Sequence, residues 1–316
     1  MRAIARRGSV AAIALALACA HCSSDTAGGV SPGGGGVDAG GDGTTIGSPD
    51  QDGAAGADAA APPADSGPGA DAGDAAPVDP CLGRIVCDDF EKTAAGAKQG
   101  APWVVEASSG TALVDETRAK SGKRSLKVSI TATTASDTYR KAMIAVTGKP
   151  LIPLANDTVY GRFMIWTDRI PDKTVHWTFA SGSGPVATLS AVYNYGGMGG
   201  LMANYYRNTT PDPNDCWQTK DQTFPTNAWT CVGFLLDGAN AEMRFWLDGV
   251  EVPELHVVGM SKNDTTCTVK GVDGRWLPPT FDDVRVGWES YQNDVAGAHD
   301  AWIDDVILDD KPIPCP

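Results

Sequence analysis

Apolar and polar residues alternate with a period of two in short runs along the C-terminal three quarters of the chain. This period places successive side chains on opposite faces of a strand, whereas a helix needs apolar residues three or four positions apart. Helical periodicity over eleven or more residues is almost absent. The pattern predicts strands at 125–132, 142–147, 159–167, 175–181, 186–195, 201–207, 229–236, 243–247, 250–252, 284–291 and 301–308.

A tight hairpin is predicted at Asp248-Gly249, because both residues tolerate the positive φ of a type I′ turn. Strands at this density, separated by turns rich in Gly and Pro, are typical of an all-β domain built as a two-sheet antiparallel β-sandwich or jelly roll. No internal repeat is visible, which disfavours a propeller or a solenoid.

The segment before the strands has a different composition. Residues 26–80 consist mostly of Gly, Ala, Asp and Pro and contain no Lys, Arg or aromatic residue. Such a chain cannot bury a core, so we expect a disordered linker over 20–80 and one folded domain over 81–316. Like-charge repulsion would extend the linker, which makes it a tether for the domain.

The N-terminus has the features of an export signal. Three arginines precede an apolar run over 10–18, which is too short for a stable membrane anchor. The run ends in Leu15-Ala16-Leu17-Ala18-Cys19, which resembles the bacterial lipoprotein box, with Ala16 where Leu is usual. The resemblance implies a signal peptide over 1–19, lipidation of Cys19 and a lipoprotein of the outer membrane or cell surface. The alternative is an ordinary signal on a secreted protein.

The net charge and the cysteines restrict which partners and which metal sites the domain can have. The formal net charge of −14 divides evenly between residues 1–80 and 81–316, and no basic run occurs, so nucleic acid is excluded as a partner.

Six cysteines in an exported domain predict three disulfides. The preferred pairings are Cys216 with Cys231 and Cys81 with Cys315, leaving Cys87 and Cys267 unassigned. No pair has zinc-ligand spacing.

Several short motifs carry a resemblance to a known family. The domain begins with CDDFE at 87–91, Trp103 and SGKRSLKV at 121–128, and it ends with VGW at 286–288 and WIDDV at 302–306. This framing resembles the concanavalin A-like jelly rolls of secreted carbohydrate-active proteins, and among them the glucuronan-lyase-like polysaccharide lyases. The resemblance implies a polysaccharide as the partner.

The same resemblance implies a structural calcium ion. In these jelly rolls a glutamate on the first strand and an aspartate on the last often hold calcium, and Glu91 with Asp304 or Asp305 match those positions. Strand alternation predicts that Asp304 and Asp305 point to opposite faces, so only one should be a ligand. The alternative is a solvated acidic edge.

A polysaccharide lyase must neutralise the uronate carboxylate and remove the proton alpha to it. On 175–181, His176 shares a face with Thr178, and on 201–207, Asn204 shares a face with Tyr206. We expect His176 or Tyr206 as the base, with Arg162 and Asn204 holding the carboxylate, if these faces meet in one groove. The alternative for His176 is a structural role, and for Arg162 an ion pair. His256 and His299 lie near predicted turns and are expected at the surface.

Aromatic side chains could stack on sugar rings, and the candidates are Trp217, Trp288 and Tyr291. Most of nine Trp must nevertheless be core. The ExDxxE strand of the retaining glucanases is absent, which disfavours hydrolysis by a carboxylate pair. Two hypotheses remain: a β-eliminating uronate lyase, and a non-catalytic carbohydrate-binding or adhesion module, which the acidic domain charge favours slightly.

Overall fold

The computed structural model describes residues 81–132, 139–207, 214–258, 276–292 and 297–316, all of which belong to one compact unit. The predicted signal peptide, Cys19 and the predicted linker over 20–80 lie outside these residues. The described residues form sixteen strands and two single-turn 3-10 helices, Ala155–Asp157 and Pro253–Leu255. The strands are β1 (Val86–Asp88), β2 (Val104–Ser108), β3 (Gly110–Asp115), β4 (Ser125–Ile130), β5 (Arg140–Thr147), β6 (Thr158–Thr167), β7 (His176–Val186), β8 (Leu189–Gly197), β9 (Leu201–Arg207), β10 (Asn214–Lys220), β11 (Thr230–Asp237), β12 (Glu242–Leu247), β13 (Val250–Glu251), β14 (Val257–Val258), β15 (Asp283–Tyr291) and β16 (His299–Asp309).

These strands form two antiparallel sheets, which confirms the predicted sandwich. Sheet A has the order β13-β12-β11-β6-β16-β4-β3, with β1 also paired to β16 and β14 to β12. Sheet B has the order β10-β9-β8-β7-β15-β5-β2. Consecutive strands β7, β8, β9 and β10 are neighbours in sheet B, so residues 176–220 build one half of that sheet.

The core lies between the two sheets and is built by strand alternation. In β12, Met243, Phe245 and Leu247 are buried while the residues between them point outward. In β7, Trp177 and Phe179 are buried in the same way against Phe245 and Phe224 of other strands and loops. Each large apolar side chain removed from water contributes roughly 1.5–3 kcal/mol, so this layer dominates stability.

All eleven predicted strands are present, and the Asp248-Gly249 hairpin is confirmed. Asp248 has φ 47° and Gly249 has φ 79°, and β12 pairs with β13 directly across the turn. The pattern missed β1, β2, β3, β10 and β14. These strands are short or polar, and β10 (NDCWQTK) is a strand because its backbone pairs with β9 over seven residues.

The predicted disulfide pairings are wrong. Cys81 bonds to Cys87, six residues away, and Cys231 bonds to Cys315. Cys216 is disulfide-bonded as well, and its partner is not Cys231; Cys267 lies outside the described residues. The second bond ties the C-terminal segment to the outer face of sheet A, because Cys231 points away from the core strand positions Val232 and Phe234. Among the described residues, no helix is long and apolar enough to cross a bilayer.

Candidate active site on sheet B

A groove lies on the outer face of sheet B, where β7, β8, β9 and β15 run side by side. We call it the sheet B groove, and it encloses a recess of about 70 Å³. Its lining contains an imidazole, two side-chain amides, a carboxyl group and two phenols. The lining residues are Tyr139, His176, Trp177, Thr178, Asn194, Gly196, Met202, Asn204, Glu289 and Tyr291.

Strand alternation explains why these residues meet. His176 and Thr178 point outward because Trp177 and Phe179, between and beside them, are buried in the core. In β8, Asn194 points outward between the buried Tyr193 and Tyr195. The register places Asn194 directly opposite Asn204 in β9, so the two amides lie on one face.

Gly196 brings β8 close to β7 at the floor of the groove. A Cβ atom at this position would lie 1.9 Å from the carbonyl oxygen of Trp177. Only glycine permits this approach, which coincides with an irregularity in the β7–β8 pairing between Thr178 and Ala180. Gly196 thus shapes the groove through the backbone.

His176 is positioned as a proton acceptor. It is the first residue of β7, and its backbone N–H donates to Oε1 of Gln292 at 2.9 Å. Burial lowers the pKa of the imidazole below its ordinary value, and the negative charge of Asp215 only partly opposes this. His176 is therefore neutral at neutral pH, which is the state that a general base requires.

Asn204 is held in place by its neighbour on β10. Its Nδ2 donates to Oδ1 of Asp215 at 2.7 Å and to the carbonyl oxygen of Cys216 at 3.1 Å. Both amide hydrogens are thus used, and Asn204 presents its oxygen toward Asn194, whose Nδ2 lies 3.5 Å away. A substrate carboxylate needs donors, and in this orientation Asn204 offers a ligand only its amide oxygen, whereas Asn194 has an amide nitrogen on the same face.

The mouth of the groove carries two stacked phenols. The rings of Tyr139 and Tyr291 lie 4.5 Å apart at an angle of 25°. Tyr139 is 58% exposed as a whole residue, yet partial burial of its phenol and the charge of Glu289 raise its pKa to about 12. Burial also raises the pKa values of Glu289 and Asp215. The groove therefore favours protonated, hydrogen-bond-donating forms of its acids.

The structure does not bring together all the residues predicted for the site. His176, Asn204 and Tyr291 line the groove. Tyr206 points to the same outer face, directly opposite Asp215, and is 36% exposed. Trp217 is half-buried and lies opposite Asn204 at the outer strand, beside the groove.

Arg162 and Trp288 lie elsewhere. Arg162 is on β6 of sheet A, 4% exposed, beside the charge of Asp305, and its Nε has no hydrogen-bond partner among the described residues. It cannot hold a carboxylate in the sheet B groove. Trp288 is completely buried and stacks on Trp177 with ring centroids 5.1 Å apart, so it is a core residue that no sugar can reach.

The sequence predicted that His256 and His299 lie at the surface, and this prediction is wrong for His299. His299 is 1% exposed and packs on the ring of Trp288 with centroids 4.0 Å apart. Burial lowers its pKa to about 3, helped by the charges of Arg169 and Arg140. His256 is half-buried on sheet A, where its Nε2 lies 2.7 Å from Oε1 of Glu242.

Three groove residues, and Asp215, which binds Asn204, were not identified from the sequence. Asn194 and Glu289 could have been found, because each stands at an outward position between buried residues of an alternating run. Asp215 lies on β10, which the pattern did not show to be a strand. Tyr139 precedes β5 and meets Tyr291 only through the pairing of β5 with β15.

The three acids predicted to bind calcium converge on the turn formed by 120–124. Oε1 of Glu91 accepts from the backbone N–H groups of Lys123 and Arg124 at 2.6 and 2.7 Å. Oδ2 of Asp304 accepts from those of Lys120 and Ser121 at 2.7 and 3.1 Å, and Oδ1 of Asp305 accepts from Oγ of Ser121 at 2.7 Å.

The expected alternation of the two aspartates is wrong. Asp305 has φ 49°, and the pairing of β16 with β6 shifts register between Asp304 and Ile307. This bulge lets both side chains reach Ser121. Burial and the charge of Asp305 raise the pKa of Asp304 to about 7. Among the described residues, no group of three or more His, Cys, Asp or Glu side chains is placed to hold a metal, so a cation here would need backbone oxygens as well.

Two antiparallel sheets packed as a sandwich define the class of protein as a jelly-roll domain, with a groove of imidazole, amide and phenol groups on one sheet. The family model for polysaccharide lyase-like proteins, Cip1-like core domain, matches residues 89–311. The chain belongs to this family, which confirms the resemblance seen in its motifs.

One solved structure supports the same fold, and two others are less similar to the chain. The cellulose induced protein Cip1 is 21% identical, with a TM-score of 0.52, over 73% of this chain and 100% of that one. An endo-β-1,4-glucuronan lyase from the fungus Trichoderma reesei is 13% identical over 72% and 96% of the two chains, with a TM-score of 0.47. An endo-1,3-β-glucanase from Streptomyces sioyaensis is 12% identical over 71% and 95%, with a TM-score of 0.45. No curated protein matches the chain.

Proposed function

We propose that this domain acts on an extracellular polysaccharide and cleaves uronate-containing chains by β-elimination in the sheet B groove. One observation carries the proposal: His176 is held at the groove with its pKa lowered by burial, among side chains that can donate hydrogen bonds. Membership of the polysaccharide lyase-like family supports it.

In this reaction an imidazole nitrogen of His176 takes the proton on the carbon alpha to the uronate carboxylate. The electron pair of that C–H bond forms a carbon–carbon double bond, and the glycosidic C–O bond on the next carbon breaks. The leaving oxygen takes a proton from a phenol, for which Tyr206 and Tyr139 are the candidates on this face. The products are an unsaturated uronyl end and a new hydroxyl group.

The substrate carboxylate needs stabilisation as the alpha proton leaves, because negative charge builds on its oxygens. Among the described residues, no arginine or lysine lines the groove. Asn194 offers an amide donor, and Glu289, with its raised pKa, offers a carboxyl O–H when it is protonated. Neutral donors of this kind bind a carboxylate without the ion pair that the sequence led us to expect from Arg162.

The test is incubation of the full chain with a panel of polyuronates, including glucuronan and alginate, while the ultraviolet absorbance of unsaturated uronyl ends is recorded. We expect a rise with at least one polymer, and a fall in rate of about 10²-fold or more for His176→Ala. Arg162→Met is the matched control, because this residue lies on the other sheet, and it should keep the wild-type rate. A flat trace across the panel would refute elimination.

The second candidate is a non-catalytic carbohydrate-binding module. The stacked and accessible pair Tyr139 and Tyr291 at the mouth of the groove favours it, because aromatic faces bind sugar rings. Trp217, half-buried beside Asn204, could extend this surface. Retention of polyuronates without any unsaturated product would identify this function.

We also propose a structural calcium ion held by the carboxylates of Glu91 and Asp304, with Asp305 beside them and backbone carbonyls of the 120–124 turn as further ligands. Asp304 is completely buried beside the charge of Asp305, and a cation there would offset the like-charge repulsion that helps to raise its pKa to about 7. Chelation should lower the melting temperature of the wild type, and calcium should restore it. Glu91→Gln should be less sensitive to the chelator; identical melting curves with and without chelator would exclude the ion.

The sequence further supports export and attachment of the domain to a membrane through lipid on Cys19, with residues 20–80 as the tether. Cys19→Ser should move the protein from the membrane fraction to the soluble fraction of the exported proteins. If the variant and the wild type fractionate alike, the protein is secreted by an ordinary signal.

A further inference from the structure

A second recess lies on the outer face of sheet A, where β6, β11 and β12 are neighbours. We call it the sheet A recess; it has a volume of about 520 Å³, which is within the range of small-ligand sites. Its floor consists of outward residues of the three strands: Tyr160, Gly233, Leu235, Asp237, Glu242, Arg244 and Trp246. Pro312, Ile313, Pro314 and Cys315 form one wall, which the Cys231–Cys315 disulfide fixes to β11.

The floor presents an indole ring over a position without a side chain. Trp246 lies directly opposite Gly233 in the β11–β12 pairing. A Cβ atom at Gly233 would lie 3.4 Å from Cβ of Trp246 and 3.6 Å from Cε3 of its ring, so the indole follows the backbone of the glycine. Trp246 and Tyr160 both remain partly accessible. Aromatic surfaces of this kind stack on the apolar faces of pyranose rings.

The polar groups of the recess are fixed in an ion-pair network. Nε of Arg244 lies 2.5 Å from Oε1 of Glu242, and the His256 ring reaches both Glu242 and Glu251, at 2.7 and 3.6 Å. Burial acts to raise the pKa of Glu242, but hydrogen bonds from Arg244 and His256 outweigh it and hold this pKa below its ordinary value. Glu242 and Arg244 therefore keep their charges at neutral pH and can accept and donate hydrogen bonds to hydroxyl groups.

The balance of charge selects among sugars. Two carboxylates, those of Asp237 and Glu242, line the recess with one guanidinium, that of Arg244, and Glu251 lies 3.9 Å from Arg244 outside the lining. A uronate would meet excess negative charge, whereas a neutral sugar would not. An aromatic platform with fixed polar groups and an acidic rim therefore fits an uncharged pyranose.

We propose that the sheet A recess is a second binding site, distinct from the sheet B groove, that takes a short stretch of a neutral saccharide. It would hold the domain on a neutral glycan while the opposite sheet acts on an acidic one. The site stands on its own residues, and its failure would leave the proposed elimination unaffected.

The experiment is titration calorimetry of the full chain with neutral hexasaccharides of β-1,4-glucan, β-1,4-mannan and β-1,3-glucan, and with a hexamer of glucuronic acid. At least one neutral hexamer should bind to the wild type. Trp246→Ala should weaken that binding by tenfold or more, and Trp246→Tyr, which keeps an aromatic ring, should weaken it less. Val250→Ala is the control, because Val250 is 70% exposed on the adjoining hairpin and does not line the recess.

Three results would overturn the proposal. The first is no binding of any neutral hexamer. The second is wild-type affinity in Trp246→Ala, provided that its melting temperature matches that of the control. The third is a loss of neutral-saccharide binding in Tyr291→Ala with none in Trp246→Ala, which would place the binding in the sheet B groove. The elimination assay, run on the same variants, reports on the other sheet separately.

Discussion

The sheet B groove and the sheet A recess are both formed by outward side chains of adjacent antiparallel strands. They differ in the direction in which the pKa values of their carboxyl groups are shifted. Glu289 in the groove and Asp215 on the neighbouring strand β10 are half-buried, and burial raises their pKa values. In the recess, hydrogen bonds from Arg244 and His256 outweigh burial and lower the pKa of Glu242. Desolvation thus dominates the pKa shifts beside the groove, whereas hydrogen bonds from basic side chains dominate the shift in the recess. On this basis we propose chemistry for the sheet B groove and binding for the sheet A recess.

The largest expected effect is the pH dependence of elimination in the groove. Because burial lowers the pKa of His176 below its ordinary 6.5, the base is neutral above that pH and becomes protonated as the pH falls through the lowered value. The ratio kcat/KM should be level on the neutral side and should then fall about tenfold for each further pH unit.

Initial rates on the best polyuronate between pH 4 and 9 measure this profile. His176→Ala should show no such acid limb in its residual rate. An acid limb centred well above 7 in the wild type would contradict a buried, neutral imidazole as the base.

The next effect concerns the wall of the recess. Loss of the Cys231–Cys315 disulfide in Cys231→Ser/Cys315→Ser should lower the free energy of unfolding by about 4 kcal/mol, because the bond closes a long loop. The two residues are 84 apart in sequence. The double variant should also bind neutral saccharides more weakly while its elimination rate is unchanged.

The matched control is Cys81→Ser/Cys87→Ser, in which the bond joins residues only 6 apart. Its loss should cost about 2 kcal/mol by the same argument and should leave saccharide binding unchanged. Urea unfolding of both variants measures the difference. Equal losses of neutral-saccharide binding in the two would mean that the wall has no part in the recess.

A third, smaller effect concerns the hydrogen bond between Asn204 and Asp215. The hydrogen bond from Asn204 lowers the pKa of Asp215, although burial raises it overall. Asn204→Ala should therefore raise this pKa further, by an amount that a carboxyl-carbon NMR titration can resolve. Asn194→Ala is the control, because Nδ2 of Asn194 points to Asn204 and makes no hydrogen bond to Asp215 that would be lost. An unchanged Asp215 pKa in Asn204→Ala would show that solvent replaces the amide.

Strand alternation explains both the success and the failure of the sequence interpretation. It predicted that His176 shares a face of its strand with Thr178, and that Asn204 shares a face of its strand with Tyr206. The structure agrees for both pairs. It could not assign Arg162 to a sheet, because a period of two identifies two faces and says nothing about which strands become neighbours. Sheet order depends on long-range pairing, such as that of β6 with β11 and β16.

The error at Trp288 was avoidable. Trp288 and Tyr291 are three positions apart, so they face opposite sides of β15, and both could not have contacted one ligand. The structure places Trp288 in the core and Tyr291 in the groove. The alternation at Asp304 and Asp305 failed for the opposite reason: a bulge in β16 cancels it, and no residue pattern marked that bulge.

The smallest expected effect concerns Asp157, an acid at the end of sheet A whose pKa is raised, unlike that of Glu242. Asp157, at the end of sheet A near Asp237, has its pKa raised to about 6 by burial and by the charge of Asp237, although Oδ1 accepts a hydrogen bond from the backbone N–H of Phe281 at 2.8 Å. Because the folded-state pKa is above the unfolded value, this group stabilises the fold fully below pH 4, and the contribution disappears as the pH rises through 6. Asp157→Asn keeps the acceptor and removes the charge, so it should be more stable than the wild type by about 1 kcal/mol at pH 8 and equal to it at pH 4.

Urea unfolding at both pH values measures the difference. Asp157→Ala, which loses the hydrogen bond, should instead be less stable than Asp157→Asn at both. Parallel stabilities of wild type and Asp157→Asn at the two pH values would mean that the Asp157 carboxylate is solvated and that burial does not raise its pKa.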